Sequence, residues 1–151
     1  MQHYCKNKCN IIAKMVEDLL KNKSLRLTNF RKQVLQLFID KAKSLTISEI
    51  EEALTEYDRI TLYRTIKSFI KKGLIHEIVM PGELKKLALC DVDCLQTNGQ
   101  HEHKHIHFQC KTCNEVYCVD ISNAPQIVLA GYQIEQLEIQ AYGVCIDCLN
   151  R

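Results

Sequence analysis

The sequence predicts an α+β fold: a helical half that ends in a β-hairpin, followed by a smaller half rich in strands and metal-binding side chains. Three observations predict it. Apolar residues recur at helical spacing through roughly the first seventy positions. Two short strand-like runs, LIHEIVM and LKKLALC, flank Pro81-Gly82. The cysteines then crowd into the second half: Cys90, Cys94, Cys110, Cys113, Cys118, Cys145 and Cys148, with only Cys5 and Cys9 elsewhere.

Each element has its own signal. Asn10 to Asn22 carries Ile11, Ile12, Met15, Val16, Leu19 and Leu20 on one helical stripe. Thr28 caps a second helix through Asp40, with Phe30, Val34, Leu35 and Phe38 inward. Ser48 and Glu51 form a capping-box pattern that opens a short third helix, to about Thr55. Asp58 caps a fourth helix, which Gly73 stops. Several helices followed by a hairpin are the outline of a winged helix-turn-helix. In the fourth helix, Leu62, Ile66, Phe69 and Ile70 share a core stripe, while Arg64, Lys67, Ser68 and Lys71 lie opposite and Tyr63 on the flank. Cations opposite a core stripe suit docking in a DNA groove. A plain solvated face would carry a similar lysine count.

Composition bounds the function. With 151 residues, 46% hydrophobic and 25% charged, the chain suits one domain or two small ones. A formal charge of +2 leaves any basic patch local. The N-terminal MQHYCKNKCN lacks an apolar signal region, and no apolar run reaches the roughly 18 residues of a membrane helix. The predicted location is the cytoplasm, with no membrane partner. Nine cysteines in a reducing compartment point to metal ligands rather than disulfides.

Cys110-Lys-Thr-Cys113 and Cys145-Ile-Asp-Cys148 are two C-x-x-C knuckles. Together they offer four soft ligands to a tetrahedral, closed, structural zinc site. The stretch HEHKHIHFQCKTC adds a second chemistry. His105, His107 and Gln109 alternate with Ile106, Phe108 and Cys110, and Val116 to Asp120 reads as the returning strand. With the knuckle as turn, His107 faces Cys118, so His105, His107 and Cys118 are candidates for a second metal. His101 and His103 are expected in a solvated connection; Cys5 and Cys9 could supply extra ligands, but such a leftover pair is more often nothing.

On these motifs the chain resembles bacterial repressors of the ferric uptake regulator family. The similarity lies in Leu27-Thr28-Asn29-Phe30-Arg31, in Ile60-Thr61-Leu62-Tyr63-Arg64-Thr65-Ile66 followed by Lys72-Gly73-Leu74-Ile75, in the run from His105 to Cys113, and in Tyr142-Gly143-Val144-Cys145-Ile146-Asp147-Cys148. The resemblance implies a homodimeric, metal-dependent repressor of metal-uptake genes acting on a palindromic operator in double-stranded DNA. It implies a winged-helix DNA-binding domain over 1–90, a hinge over 91–101 and a small α/β metal-binding dimerisation domain over 102–151. Arg31 and Thr61 join Tyr63, Arg64, Lys67 and Lys71 as DNA-binding candidates. The zinc-uptake regulator type looks most similar. Iron-type members use a histidine absent from Ser44–Ser48 and a glutamate where this chain has Ala88, and a second site where it has Lys104 and Ile106. Here the regulatory candidates are His76, Cys90, His105, His107 and Cys118, five for about four positions. Their sulfur shifts preference toward zinc, with iron, manganese or peroxide sensing as the alternative.

One departure from the family is the short segment Ser122–Gly131 with Pro125, which leaves a usual long helix reduced or missing and the dimer resting on strands such as Tyr132–Tyr142. Two other classes remain. A zinc hydrolase needs an open metal position and a base, for which Glu102 and Asp120 are candidates, though nothing in the sequence sets either beside a water. A thiol-based redox sensor would use Cys90 and Cys118. The expectation is a regulator and not an enzyme.

Overall fold

The computed structural model describes residues 13–90, 105–121, 127–134 and 137–151. The hinge expected over 91–101 lies outside them, as do Cys5, Cys9, Cys94, His101, His103 and the start of the first helix. The described chain is α+β, as predicted.

Helix α1 runs through residues 13–22 and buries Val16 and Leu20, while Met15 stays largely exposed. Helix α2, Asn29–Lys41, is capped by Thr28, whose hydroxyl accepts from the Arg31 amide, and it buries Val34, Leu35 and Phe38. Helix α3, Ile47–Ala53, starts two residues earlier than its sequence suggests. Thr46, not Ser48, is the cap, with Glu49 completing the capping box. The T-x-x-E and S-x-x-E patterns overlap here. The earlier one wins because it winds Ile47 into the helix and seats Ile50 fully in the core.

Helix α4, Arg59–Lys71, starts at Asp58, which accepts from both the amide and the hydroxyl of Thr61 at 2.7 Å. Those bonds hold the Asp58 carboxyl below its ordinary range. At the other end Gly73 takes a positive φ of 62°. Its amide bonds to the Ile70 carbonyl and that of Leu74 to the Phe69 carbonyl, the paired closure of a Schellman motif. Leu62, Thr65, Ile66 and Phe69 turn inward.

The chain then enters strand β1, Ile75–Ile78, and returns as β2, Lys86–Leu89. The pair is antiparallel, with His76 opposite Ala88. This is the expected wing. An isolated bridge between Leu45 and Leu87 ties it to the segment before α3. The main core gathers side chains from α1 to α4 and both wing strands, including Leu20, Leu35, Phe38, Ile50, Leu62, Phe69 and Ile75.

The second sheet has the order β4-β3-β5. Strand β3, His105–Cys110, pairs antiparallel with β4, Val116–Asp120, and parallel with β5, Gln140–Gly143. Gly143 packs closely under the Phe108 ring, where a Cβ would lie 3.1 and 3.2 Å from ring carbons and the ring would have to shift by a few tenths of an ångström. Helix α5, Ile146–Leu149, closes the chain. Of the strand expected over Tyr132–Tyr142, the described residues show β5 at its far end. Residues 127–131 are not helical, and the rest of the segment Ser122–Gly131 lies outside the described residues.

A second small core of Ile78, Met80, Ala88 and Val116, with Cys118 packed beside it, joins the wing to the second sheet. Polar bonds reinforce that joint. Ser44 bonds the Val116 carbonyl through its hydroxyl at 2.7 Å and its amide at 3.3 Å, and Lys43 pairs with Glu115. Gln109 donates to Glu83 at 2.9 Å, and Gln140 to the Val79 carbonyl at 3.0 Å. The Glu115 pair, aided by Glu49, holds the Lys43 ammonium above its ordinary range against burial.

Candidate metal centres

The first centre is built by two turns of different kinds. Cys110 ends β3, and the chain reverses through Cys113 to Asn114, whose amide bonds the Cys110 carbonyl at 2.9 Å. Asn114 takes a φ of 59°, a left-handed conformation that asparagine tolerates better than most residues. The second knuckle is the first turn of α5, with Cys145 at the cap position and the Cys148 amide bonded to the Cys145 carbonyl at 3.1 Å. The parallel register sets Cys110 opposite Gly143 and so brings the two turns together.

The four sulfurs of Cys110, Cys113, Cys145 and Cys148 lie within 4.8 Å of one another. A tetrahedron with metal–sulfur bonds of about 2.3 Å has sulfur–sulfur edges of about 3.8 Å. The Cys113–Cys145 separation is 3.9 Å. The donor set therefore fits a closed four-thiolate zinc site. Its electrostatics are uneven. The Cys145 amide donates to the Cys110 sulfur at 3.3 Å, and with the amides of Cys113 and Thr112 it lowers the Cys110 thiol to about 6 against the opposing effect of burial. Cys148, bonded to Cys145 and to its other thiol neighbours, is pushed up to about 12. Tyr117 points its hydroxyl at the Cys145 sulfur, 3.9 Å away, and burial together with that bond raises it well above its ordinary value.

The second centre lies at the joint between the sheets. Its ligand atoms from His76, His107 and Cys118 fall within 4.8 Å of one another. Wing strand β1 supplies His76; β3 and β4 supply His107 and Cys118, which are direct partners in the ladder, as their spacing around the knuckle predicts. The His76 Nε2 is 3.2 Å from the Cys118 sulfur. The His76 and His107 rings stack with centroids 5.5 Å apart and planes inclined by 16°. Imidazole nitrogen and thiolate sulfur are suitable zinc donors, so the chemistry of this trio fits a divalent metal. Cys90 is buried and meets His76 on its other nitrogen, Nδ1, at 3.3 Å. His105 lies on β3 opposite Asp120, and its side chain is outside the described residues.

The DNA-binding candidates are distributed as follows. Thr61, Tyr63, Arg64, Lys67 and Lys71 are all exposed on α4, with Arg64, Lys67 and Lys71 opposite its buried stripe and Thr61 and Tyr63 on the flanks. Tyr63, Arg64 and Lys67 line a shallow cleft with Arg59 and Ile60. Arg31 is half-buried, its guanidinium bonded to the Arg26 carbonyl at 3.1 Å. Lys43, Ser44 and Glu115 went unread in the sequence because their pairing spans 72 positions.

A helical domain with a wing, joined to a cysteine-rich sheet and drawing ligand atoms from both, defines a metal-binding winged-helix protein. The family model described as "Ferric uptake regulator family" matches residues 21–142. A ferric uptake regulation protein of Staphylococcus aureus is 31% identical over 136 residues, covering 86% of this chain and 93% of that one. The chain belongs to the ferric uptake regulator family, a family of regulators and not of enzymes. The fold agrees. The Vibrio cholerae ferric uptake regulator superposes with a TM-score of 0.54 at 19% identity, over 83% of this chain and 96% of that one. A zinc uptake regulator complexed with zinc and DNA superposes at 0.60 with 18% identity, over 93% and 95%. No helix among the described residues is long and apolar enough to cross a membrane.

Proposed function

We propose that this chain is a zinc-responsive transcriptional repressor that acts in the cytoplasm as a homodimer on a palindromic operator and controls metal-uptake genes. The observation that carries the reading is the cluster of His76, His107 and Cys118, with ligand atoms from both sides of the joint between wing and second sheet. The reading takes 1–90 as the DNA-binding domain, 91–101 as hinge and 102–151 as the dimerisation domain. Cys110, Cys113, Cys145 and Cys148 hold a structural zinc. His76, His107 and Cys118 hold the sensed metal, with His105 as the natural fourth ligand.

A bound zinc would supply a cationic centre that both sides of the joint can share. The work then falls to the protein. His76 moves with the wing and α4, and His107 and Cys118 move with the other sheet. Holding the three together restricts the angle between the domains, and in a dimer the spacing of two α4 helices. That spacing decides whether both reach half-sites about one DNA turn apart. The equilibrium shifts only insofar as the restricted state binds metal better than the open one. Arg64, Lys67 and Lys71 supply phosphate contacts, with Thr61 and Tyr63 near the start of α4 and Arg31 on α2.

The thiolate of Cys118 favours zinc over iron or manganese. Iron sensing has one observation in its favour, the name of the Staphylococcus aureus relative. Cys118→Ser tests the site. It should raise the free zinc needed for operator binding about tenfold or more, about 1.4 kcal/mol. One zinc per chain should remain in the knuckles. An unchanged zinc requirement would remove Cys118 from the sensing site.

A further inference from the structure

We infer that Ile60 is a specificity-determining residue of α4, and that it reads the 5-methyl group of a thymine in the major groove. The inference rests on the DNA-binding reading above and deepens it.

Arg59, Ile60 and Thr61 lie at the surface in the first turn of α4. Two of these side chains are turned back on the protein. The Arg59 guanidinium bonds the Glu51 carboxylate at 3.0 and 3.4 Å. The Thr61 hydroxyl donates to the Asp58 carboxylate at 2.7 Å. Ile60 points outward and is 62% exposed. Spaced at i, i+4 and i+7, it stands in one row with Arg64 and Lys67. It also lines the same shallow cleft as those two residues and Tyr63.

Single exposed apolar side chains are ordinary on a protein surface. The place of this one sets it apart. Isoleucine offers phosphate neither charge nor a hydrogen bond, so it adds nothing to the electrostatic contact that the rest of the row provides. Residues at the start of a recognition helix approach base edges, whereas phosphate contacts position the helix on the duplex. Among those edges in the major groove, the thymine 5-methyl is the apolar group, and it distinguishes thymine from the other bases. The row thus joins one apolar reader at the helix start to two cations about one and two turns further along. Each copy of α4 in a dimer would need such a thymine, so it should recur symmetrically in the two half-sites.

Deoxyuridine tests this, because it pairs as thymine does and lacks only the 5-methyl group. The probe is a duplex selected from a random-sequence pool by the full chain in saturating zinc, ferrous iron or manganese. Its thymines are replaced by deoxyuridine one symmetric pair at a time, and binding is read by fluorescence anisotropy. For the wild-type chain one pair should stand out, with affinity falling about fourfold for each methyl removed. Ile60→Ala keeps a strong helix former at the helix start. It should bind the thymine duplex more weakly and lose its sensitivity to deoxyuridine at that pair. Its salt dependence should match the wild type, since no phosphate contact is lost. Retained knuckle zinc reports that the variant is folded. A deoxyuridine penalty of equal size in the wild type and Ile60→Ala would assign the methyl to another residue and overturn the inference, while leaving DNA binding in place. A wild-type chain indifferent to every thymine methyl would overturn it as well. A pool that yields no bound duplex with any of the three metals would overturn the DNA-binding reading along with the inference.

Discussion

Cys110 shows how much of a metal centre a single residue can carry. It ends β3, its carbonyl closes the knuckle through the Asn114 amide, and its sulfur accepts the Cys145 amide from the other turn. It has no exposed surface at all. Cys110→Ser should cost the chain about one zinc and lower its melting temperature markedly, because metal binding to such a site is folding free energy. Metal analysis and thermal unfolding check this; full zinc and an unchanged melting temperature would rule out the four-cysteine site. This centre was legible in the sequence because each pair of ligands is local, three residues apart in one turn. The facing of His107 and Cys118 was legible for the same reason, since a short knuckle fixes the register of the strands it joins. The two sulfur contacts of His76 were not. Spacing cannot tell which ring nitrogen meets which sulfur.

Among the elements, helices α2 and α4 were legible nearly to the residue. Their boundaries are set by single side chains, Thr28 and Asp58 at the starts and Gly73 at the end of α4. Helix α3 shifted by two residues because two capping signals compete over six positions and burial of Ile50 decides between them. Strand β5 was legible only as the end of a longer expected strand, Tyr132–Tyr142, which covers Gln140 to Tyr142. Its parallel register depends on β3, some thirty positions away, and on the Gly143–Phe108 fit, neither of which has a local signature. The functional claim at this scale belongs to α4. Its buried stripe fixes the exposed one, so Arg64 must face outward. If that face meets phosphate, Arg64→Ala should weaken binding to operator and unrelated DNA alike and reduce the salt dependence by about one counterion. A fluorescence anisotropy titration over a range of salt reads both. Equal affinity and an equal slope in the variant would take Arg64 off the interface.

At the scale of the whole molecule, the candidate sensing site sits on the joint between two sheets. The small core of Ile78, Met80, Ala88 and Val116, the Ser44 bonds to Val116 and the Lys43–Glu115 pair already hold the wing against the β3–β4 hairpin. Metal therefore does not have to create the joint. It has only to favour one arrangement of it, and a factor of a hundred in operator affinity corresponds to about 2.7 kcal/mol of differential binding. On the proposed reading, the softness of Cys118 selects which metal supplies that energy. The most direct measurement is operator binding by the full chain, with its knuckle zinc retained, titrated against buffered free zinc, ferrous iron and manganese. Zinc should drive binding at the lowest free concentration of the three, and Cys118→Ser should erase most of that advantage. Iron or manganese driving binding at lower free concentration than zinc would contradict zinc sensing.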